Sequence, residues 1–451
     1  MRTSLPLFLL LILVITACEN QEDLTSSGVE IITPSGKELY LNQSSDVVFD
    51  QEELYTFEIN LPEQALDYLD SDPAQEAYVE GSVKFRGEVI SPVGIRYKGS
   101  VGAFFGGVSG NNFANPSGYK TATKLSLKIK MDWKGRKDKF YGLKKIQLHS
   151  MNLDPSQLHD RLGYWLFKEM GVKTARATHA KVYLNGNYSG LYALIEQIDE
   201  SFLNYNYDDP SGNLYKEVWP LTSNGTTQSD RKLHEALVNN HQKGITTDRI
   251  KHFADAIVEN DGSDLQAVIE SRMDLNEIIA YAVVDRSIRN DDGAFHWYGY
   301  GDNFEPHNFY WYENPNGKIH LIPWDLDNAF DNISTENPVT TIADKWGEIS
   351  NNCQPFPFGE WEIYQKSAAC DKLTGAWASY TDKYSEIRTA LINGPMSEPV
   401  VNAKIDEWSD QIRAATLAAS ELHSDAVSIS DWEAAVAKLK EQLQMVRNDI
   451  Q

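Results

Sequence analysis

Cysteine is scarce in this chain, with three in 451 residues, at positions 18, 353 and 370. That is too few for a structural zinc centre once one thiol is otherwise employed. Basic residues are outnumbered, 41 Lys and Arg against 65 Asp and Glu, for a net charge of −24. Such a surface repels a polyphosphate backbone, which argues against nucleic acid as a partner. Any phosphate-binding role must rest on a local basic patch. The apolar run from Leu7 to Ile15 is too short to span a bilayer comfortably.

That run does have a use. Arg2 precedes it and Ile15-Thr16-Ala17-Cys18 follows, the pattern of a signal peptide cut before a lipid-modified cysteine. Residues 1–17 are therefore expected to be removed and Cys18 to carry a lipid that tethers the chain to a bacterial membrane. A plain secretory signal is the alternative. Residues 18–28 are polar and acidic and read as a flexible tether. Glu19 is not the aspartate that retains many lipoproteins at an inner membrane, so the expected address is the periplasmic or cell-surface side, with the outer membrane favoured. In that oxidising setting Cys353 and Cys370 are left to form one disulfide, with two free thiols as the alternative.

The body, from Val29, begins with strand-like patterning. Tyr55–Leu61 and Tyr78–Ile90 are sheet segments. Val93–Ser100 places Arg96 and Lys98 on one strand face beside Gly99, and Lys124–Lys130 alternates with Lys124, Lys128 and Lys130 sharing a face. Between them lies GAFFGGVSGNNFANPSG, residues 102–118, whose glycines permit close backbone approach to a ligand. Asp154-Pro155-Ser156-Gln157 reads as a helix start, with apolar residues at helical spacing up to Gly171. Ala180–Leu194 alternates around Asn185-Gly186, a strong hairpin signal. Beyond residue 200 the patterning is mainly helical, over about 230–259, 275–289, 376–392, 401–422 and 430–446, interrupted by a strand-rich stretch from Phe309 to Asp327.

The sharpest feature is Gly317–Asp327, a short apolar strand running into Asp325 and Asp327. Two carboxylates at a strand end favour a divalent cation between them, although a capped turn uses the same residues. Asn290-Asp291-Asp292-Gly293 closes a helix, and Asn308 begins an aromatic strand. An aspartate, an asparagine and a strand-end aspartate are the parts that phosphoryl transfer needs.

The chain resembles the CotH kinase family, named for a spore-coat protein. The resemblance is carried by Val93–Ser100, Lys124–Lys130, Phe140–Lys145 with Gln147–Ser150, Met170-Gly171-Val172, Val182–Gly186 with Gly190-Leu191-Tyr192 and Glu196, Gly212–Lys216, and Ile322–Asp327. It covers roughly residues 55–335. What it implies is an α+β, atypical protein-kinase-like fold of two lobes, using ATP and Mg2+ to phosphorylate serine in a partner protein. The strand-rich N-lobe with one helix would span 29–200, the mainly helical C-lobe 201–375, and a helical extension 376–451, packing on the larger lobe or binding a partner. By the resemblance, Asp292 is the catalytic aspartate, with Asp291 as its rival. Asn308 and Asp325 hold metal, with Asp327 as a further metal residue. Arg96, Lys98, Lys124 and Lys216 contact the nucleotide, and Glu196 lies near the adenine. The segment Tyr298–His307 lengthens the connection between Asp292 and Asn308 beyond that of ordinary protein kinases.

A second reading is a non-catalytic surface binding or adhesion protein on the same fold. A third is nucleotidyl or glutamyl transfer.

Overall fold

The computed structural model describes residues 44–449 apart from 100, 105, 113–114, 136–138, 242–243, 245, 302, 331–346 and 359–362. The expected signal, Cys18 and tether lie outside the described residues.

Seven strands close into a barrel in the order β1 (Tyr55–Asn60), β2 (Val79–Phe85), β3 (Glu88–Tyr97), β4 (Leu127–Lys130), β5 (Lys145–His149), β7 (Asn187–Ile195) and β6 (Ala177–Leu184). Neighbours are antiparallel except that β1 pairs with β6 in parallel, and this one pairing closes the barrel. The alternation seen in the sequence sorts the faces. Phe57, Ile59, Val83, Phe85, Ile95, Leu127, Ile129, Ile146, Leu148, Val182 and Leu194 belong to one buried cluster that fills the interior. The intervening residues of β3, β4 and β5 form the outer face. The β6–β7 hairpin turns at Asn185 and Gly186, both with positive φ (48° and 80°), as a two-residue turn of this kind requires.

Helix α1 (Glu63–Ser71) and the short α2 (Val101–Phe104) accompany the barrel. Helix α3 (His159–Glu169) lies between β5 and β6 and packs on the barrel's outer side against β6 and β7. It starts later than the sequence pattern predicts. Asp154 does cap, but as a turn: its carboxylate accepts from Ser156 N (2.9 Å) and His159 N (2.8 Å). Gln157 is left-handed (φ 63°), which breaks helical continuity until His159.

After β7 come α4 (Glu200–Asn206), β8 (Asn213–Lys216), α5 (Asp230–Glu235), α6 (Asp248–Glu259), α7 (Gly262–Arg272) and α8 (Leu275–Ser287). The pattern read as one helix over 230–259 is thus two, separated by a segment in which Asn240 has φ 65°. Then follow β9 (Trp297–Tyr300), β10 (Asn303–Glu305), β11 (Phe309–Glu313), β12 (Ile319–Pro323), β13 (Phe356–Phe358) and β14 (Ile363–Lys366). They form two small sheets, ordered β12-β11-β8 and β10-β9-β14-β13. Cys353 and Cys370 are joined in a disulfide that spans the β13–β14 hairpin.

The chain ends in α9 (Lys372–Ala378), α10 (Thr381–Asn393), α11 (Glu398–Leu422) and α12 (Ile429–Asp449). The expected single helix over 376–392 is two. Of the last four, α10 lies on α8, whereas α11 lies on β7 of the barrel. Thr416 Oγ1 donates to Gln157 Oε1 (2.7 Å), Tyr188 OH to the Ala415 carbonyl (2.9 Å), and Trp432 Nε1 to the Ser156 carbonyl (3.0 Å). The expected extension is therefore a buttress of the barrel, reaching well beyond the helical half of the molecule. The fold is mixed α+β.

Candidate functional site

β11 and β12 pair with Phe309 opposite Pro323, so Asn308 and the residues after Pro323 emerge side by side from one hairpin end. The Trp324 amide donates to the Asn308 carbonyl at 3.1 Å. Asp325 takes a left-handed backbone (φ 53°), as does Asn308 (φ 56°), and Asp and Asn are the residues that tolerate this. Helix α3 fixes the turn from the other side. Tyr164 OH accepts from Asp325 N at 3.0 Å, and Asp160 Oδ1 accepts from Leu326 N at 3.3 Å. A Cβ at Gly163 would meet Leu326 Cδ1 at 2.8 Å, so a larger residue here would push the Leu326 side chain aside.

Asp292 joins the same group. Asn308 Nδ2 donates to its carboxylate Oδ2 (2.8 Å) and to its carbonyl (3.0 Å), while Tyr298 OH donates to Oδ1. Both Asn308 donor contacts being spoken for, the amide orientation is fixed and its oxygen is the end left for another partner. Asp291 is buried and acts electrostatically on Arg289, so of the two neighbours Asp292 is the one at Asn308. Burial raises the Asp292 carboxyl above its ordinary range, as do Asp325 and Glu217, against the opposing effects of His307 and Tyr298. Asp327 is pushed well above it by burial, then by Asp325, Asp160 and Asp292, with Lys98 opposing. These carboxylates feel one another's charge.

The loop carrying Asp292 is shaped by Asp285 on α8, fully buried, whose Oδ1 accepts from Asn290 Nδ2 at 2.9 Å. Burial raises its carboxyl from 3.8 to about 7, against the pull of Asn290 and Arg286. A folded pKa above the unfolded one means the folded state binds more protons between pH 4 and 7, so stability falls as pH rises through that window. Asp285→Asn should therefore stabilise the protein at pH 8, by up to roughly 4 kcal/mol, and leave pH 4 nearly unchanged. Thermal melts of the variant at the two pH values check this; equal shifts at both would contradict it.

Opposite the carboxylates stands the outer face of the barrel. Lys98 lies 5.5 Å over the Trp324 ring, and its Nζ is 2.7 Å from His149 Nε2. An ammonium only donates, so Nε2 accepts and Nδ1 carries the ring proton, facing Asp160 Oδ2 at 3.3 Å and Asp325 Oδ1 at 3.8 Å. Burial lowers the Lys98 pKa, Lys216 adds to this, and Asp325, Asp160 and Asp327 oppose it. Lys216, at the end of β8, is half-exposed and 3.5 Å from Glu217 Oε2. Burial would lower its pKa, but Tyr310, Glu217 and Asp325 prevail and raise it.

Of the residues expected at this site, the structure gathers Asp292, Asn308, Asp325, Asp327, Lys98 and Lys216. Arg96 lies one position along β3, paired with Glu76 and stacked 5.2 Å over Tyr78. Lys124 is a correction: it precedes β4, which starts at Leu127, and its Nζ turns to the Leu191 carbonyl at 2.8 Å. Burial lowers that ammonium to about 8, with Asp154 and Asp425 opposing. Glu196 is a second correction. It is fully buried, and Arg176 grips both its oxygens (3.0 and 2.6 Å), so it is held as an internal ion pair. Residues that sequence reasoning missed are His149, Asp160, Tyr164, Tyr298, His307, Lys128 and Glu217. The signals for them were the Gln147–Ser150 stretch, which contains His149, the basic face of Lys124–Lys130, which contains Lys128, and the segment Tyr298–His307, none of which assigned these residues a role.

Comparison with known proteins identifies the family. A family model described as CotH kinase protein matches residues 95–447, and so takes in the C-terminal helices that the sequence resemblance left out. The inner spore coat protein H of Bacillus subtilis (strain 168) is 24% identical over 189 residues, 42% of this chain and 50% of that relative. The chain thus aligns with about half the length of that curated relative. The chain belongs to the CotH kinase protein family.

Proposed function

We propose that this protein is a kinase-like phosphotransferase of two lobes, the barrel and the helical remainder, transferring phosphate from Mg2+-ATP to a serine or threonine hydroxyl of a partner protein. The observation that carries the reading is Lys98, which reaches from the barrel's outer face to the group formed by Asp325, Asp327 and Asp160. A cation facing several carboxylates is what a metal-bound phosphate chain needs on its two sides. Lipid on Cys18 would place the reaction outside the cytoplasm.

The residues fit magnesium in chemistry. Asp325, Asp327 and the amide oxygen of Asn308 are hard oxygen donors, and the raised pKa of Asp327 marks negative charge that a cation would relieve. Among the described residues no three His, Cys, Asp or Glu side chains are grouped to hold an ion by themselves. Mg2+ ordinarily takes one or two carboxylates and completes its shell with water and phosphate oxygens. When bound, it would neutralise charge on the phosphates. Asp292 would orient the acceptor hydroxyl and take its proton, held for this by Asn308 and Tyr298. The chain Lys98–His149–Asp160 would keep the ammonium aimed at the phosphates.

The test is incubation of the full chain with γ-labelled ATP, Mg2+ and dephosphorylated casein as a serine acceptor, with Asp292→Asn as control. Transfer to casein or to the chain itself, lost in the variant, is expected. Absence of transfer together with absence of Mg2+-dependent ATP binding would favour the surface-binding reading.

A further inference from the structure

On the barrel's outer face, one position along from Lys98, three residues stand in a row across adjacent strands. Arg96 on β3 is directly opposite Lys128 on β4, and Lys128 is directly opposite Gln147 on β5. Neighbouring strands are about 4.8 Å apart, so the three side chains leave the sheet together on one face. The row sits among further cations. Burial first, and then Lys145, Arg96 and Lys98, drive the Lys128 ammonium well below the usual range, with Glu76 opposing.

What marks the row as a site is that two of its buried polar atoms lack acceptors, even though the Arg96 guanidinium is held at its NH1 end by Glu76. Gln147 is 2% exposed, and its Nε2 has no hydrogen-bond partner among the described residues. Arg96 Nε is likewise buried without one. Lys128 makes no hydrogen bond or ion pair with any described residue, although Glu76 and Asp199 lie near enough to act on it or be acted on by it. Leaving a buried amide without an acceptor, beside a half-buried ammonium, is costly. A solvated surface face does not account for this, because the amide is buried. A multiply charged anion would supply acceptors to Lys128 and Gln147 together, with Arg96 beside them, and in a chain of net charge −24 this is a local exception in sign.

We propose that the row Arg96, Lys128 and Gln147, continued by Lys98, is a binding site for a linear phosphate chain, and that it reads the chain without regard to a nucleoside. Inorganic polyphosphate is thereby a ligand of this protein. The inference rests on the reading that phosphates lie between Lys98 and the carboxylates. It goes beyond that reading in naming Lys128 and Gln147 as the residues that hold them and in extending the ligand class to inorganic chains.

Calorimetric titration of the full chain with sodium tripolyphosphate, ATP and sulfate, each with Mg2+, tests it. Tripolyphosphate is expected to bind within about tenfold of ATP and to compete with it, while sulfate binds far more weakly. Lys128→Met and Gln147→Leu should each weaken both phosphate ligands by about tenfold or more. Lys128→Met removes a half-buried cation that has like charges for neighbours and should melt no lower than the parent, so weakened binding would not reflect unfolding. If ATP binds and tripolyphosphate neither binds nor competes, the proposal falls and the nucleotide reading stands. Binding of both ligands that is indifferent to Lys128→Met and Gln147→Leu overturns the row as the site. If neither ligand binds, both readings fall.

Discussion

Asp325→Asn is expected to cut phosphoryl transfer by about 10³-fold or more, roughly 4 kcal/mol of transition-state stabilisation, and to abolish the Mg2+ dependence of ATP binding. The substitution keeps shape and removes charge. Asparagine tolerates the left-handed backbone at this position (φ 53°), and the main-chain hydrogen bond to Tyr164 OH is indifferent to the side chain. What changes is electrostatic. Lys98, Lys216, His149, Asp292 and Asp327 all respond to the Asp325 charge or lie against it. With that charge gone, Lys98 loses its largest opposing carboxylate, and Asp327 loses the like charge that, after burial, raises it most. Asp292→Asn makes the contrast: it should leave nucleotide affinity intact and lose transfer. Affinity by calorimetry and transfer of labelled phosphate separate the two. Activity of Asp325→Asn within tenfold of the parent would remove this residue from the chemistry.

The contrast between Asp325 and Glu196 shows what sequence reading could and could not reach. Asp325 and Asp327 were legible because a short apolar strand ending in two carboxylates is a local pattern, and the structure keeps it local. Asn308 was legible because its strand is the hairpin partner of that one. Glu196 also ends a well-patterned strand, but its fate is decided by Arg176, 20 residues away in sequence and adjacent only once β6 and β7 pair. Lys124 failed for a different reason. Period-two alternation continues through 124–130, and nothing in it says that the strand begins at Leu127 or that the Lys124 ammonium turns to Leu191. Closure of the barrel was invisible, since it depends on the parallel contact of β1 with β6 across more than a hundred residues. So was Asp160, whose role is set by the meeting of α3 with the turn after β12. Tyr298 lies in the segment that looked like mere lengthening of a loop; that segment forms β9 and β10, and its first strand delivers the hydroxyl that donates to Asp292.

The C-terminal helices carry the second large expectation. A chain ending at Gly394 should not fold, even though every residue gathered around Asp325 would still be present. α11 and α12 bury Val401, Ile405, Trp408, Ile412, Trp432, Leu439, Leu443 and Val446. At roughly 1.5 kcal/mol or more for each, their loss rivals the whole ~5–15 kcal/mol that separates a folded domain from its unfolded chain. A polar penalty adds to the apolar one. Arg161 on α3 is 1% exposed, 4.6 Å over the Trp408 ring, with NH1 donating to Gln411 Oε1 at 2.7 Å. Burial lowers its pKa to about 9 against the pull of Glu407 and Glu52. Truncation would strip away Trp408, Gln411 and Glu407 together, leaving a guanidinium that still faces His179 and Gln51 but has lost its cover. Because Asp160 is its neighbour on the same helix, loosening there reaches the turn that holds Asp325. Trp432→Ala is the graded version. It removes a fully buried ring and the bond to the Ser156 carbonyl, and should cost about 3–5 kcal/mol in a urea melt. Circular dichroism and limited proteolysis of the truncated chain decide the larger question. A cooperative melt within a few degrees of the full chain would show that the barrel and the carboxylate group stand without their buttress.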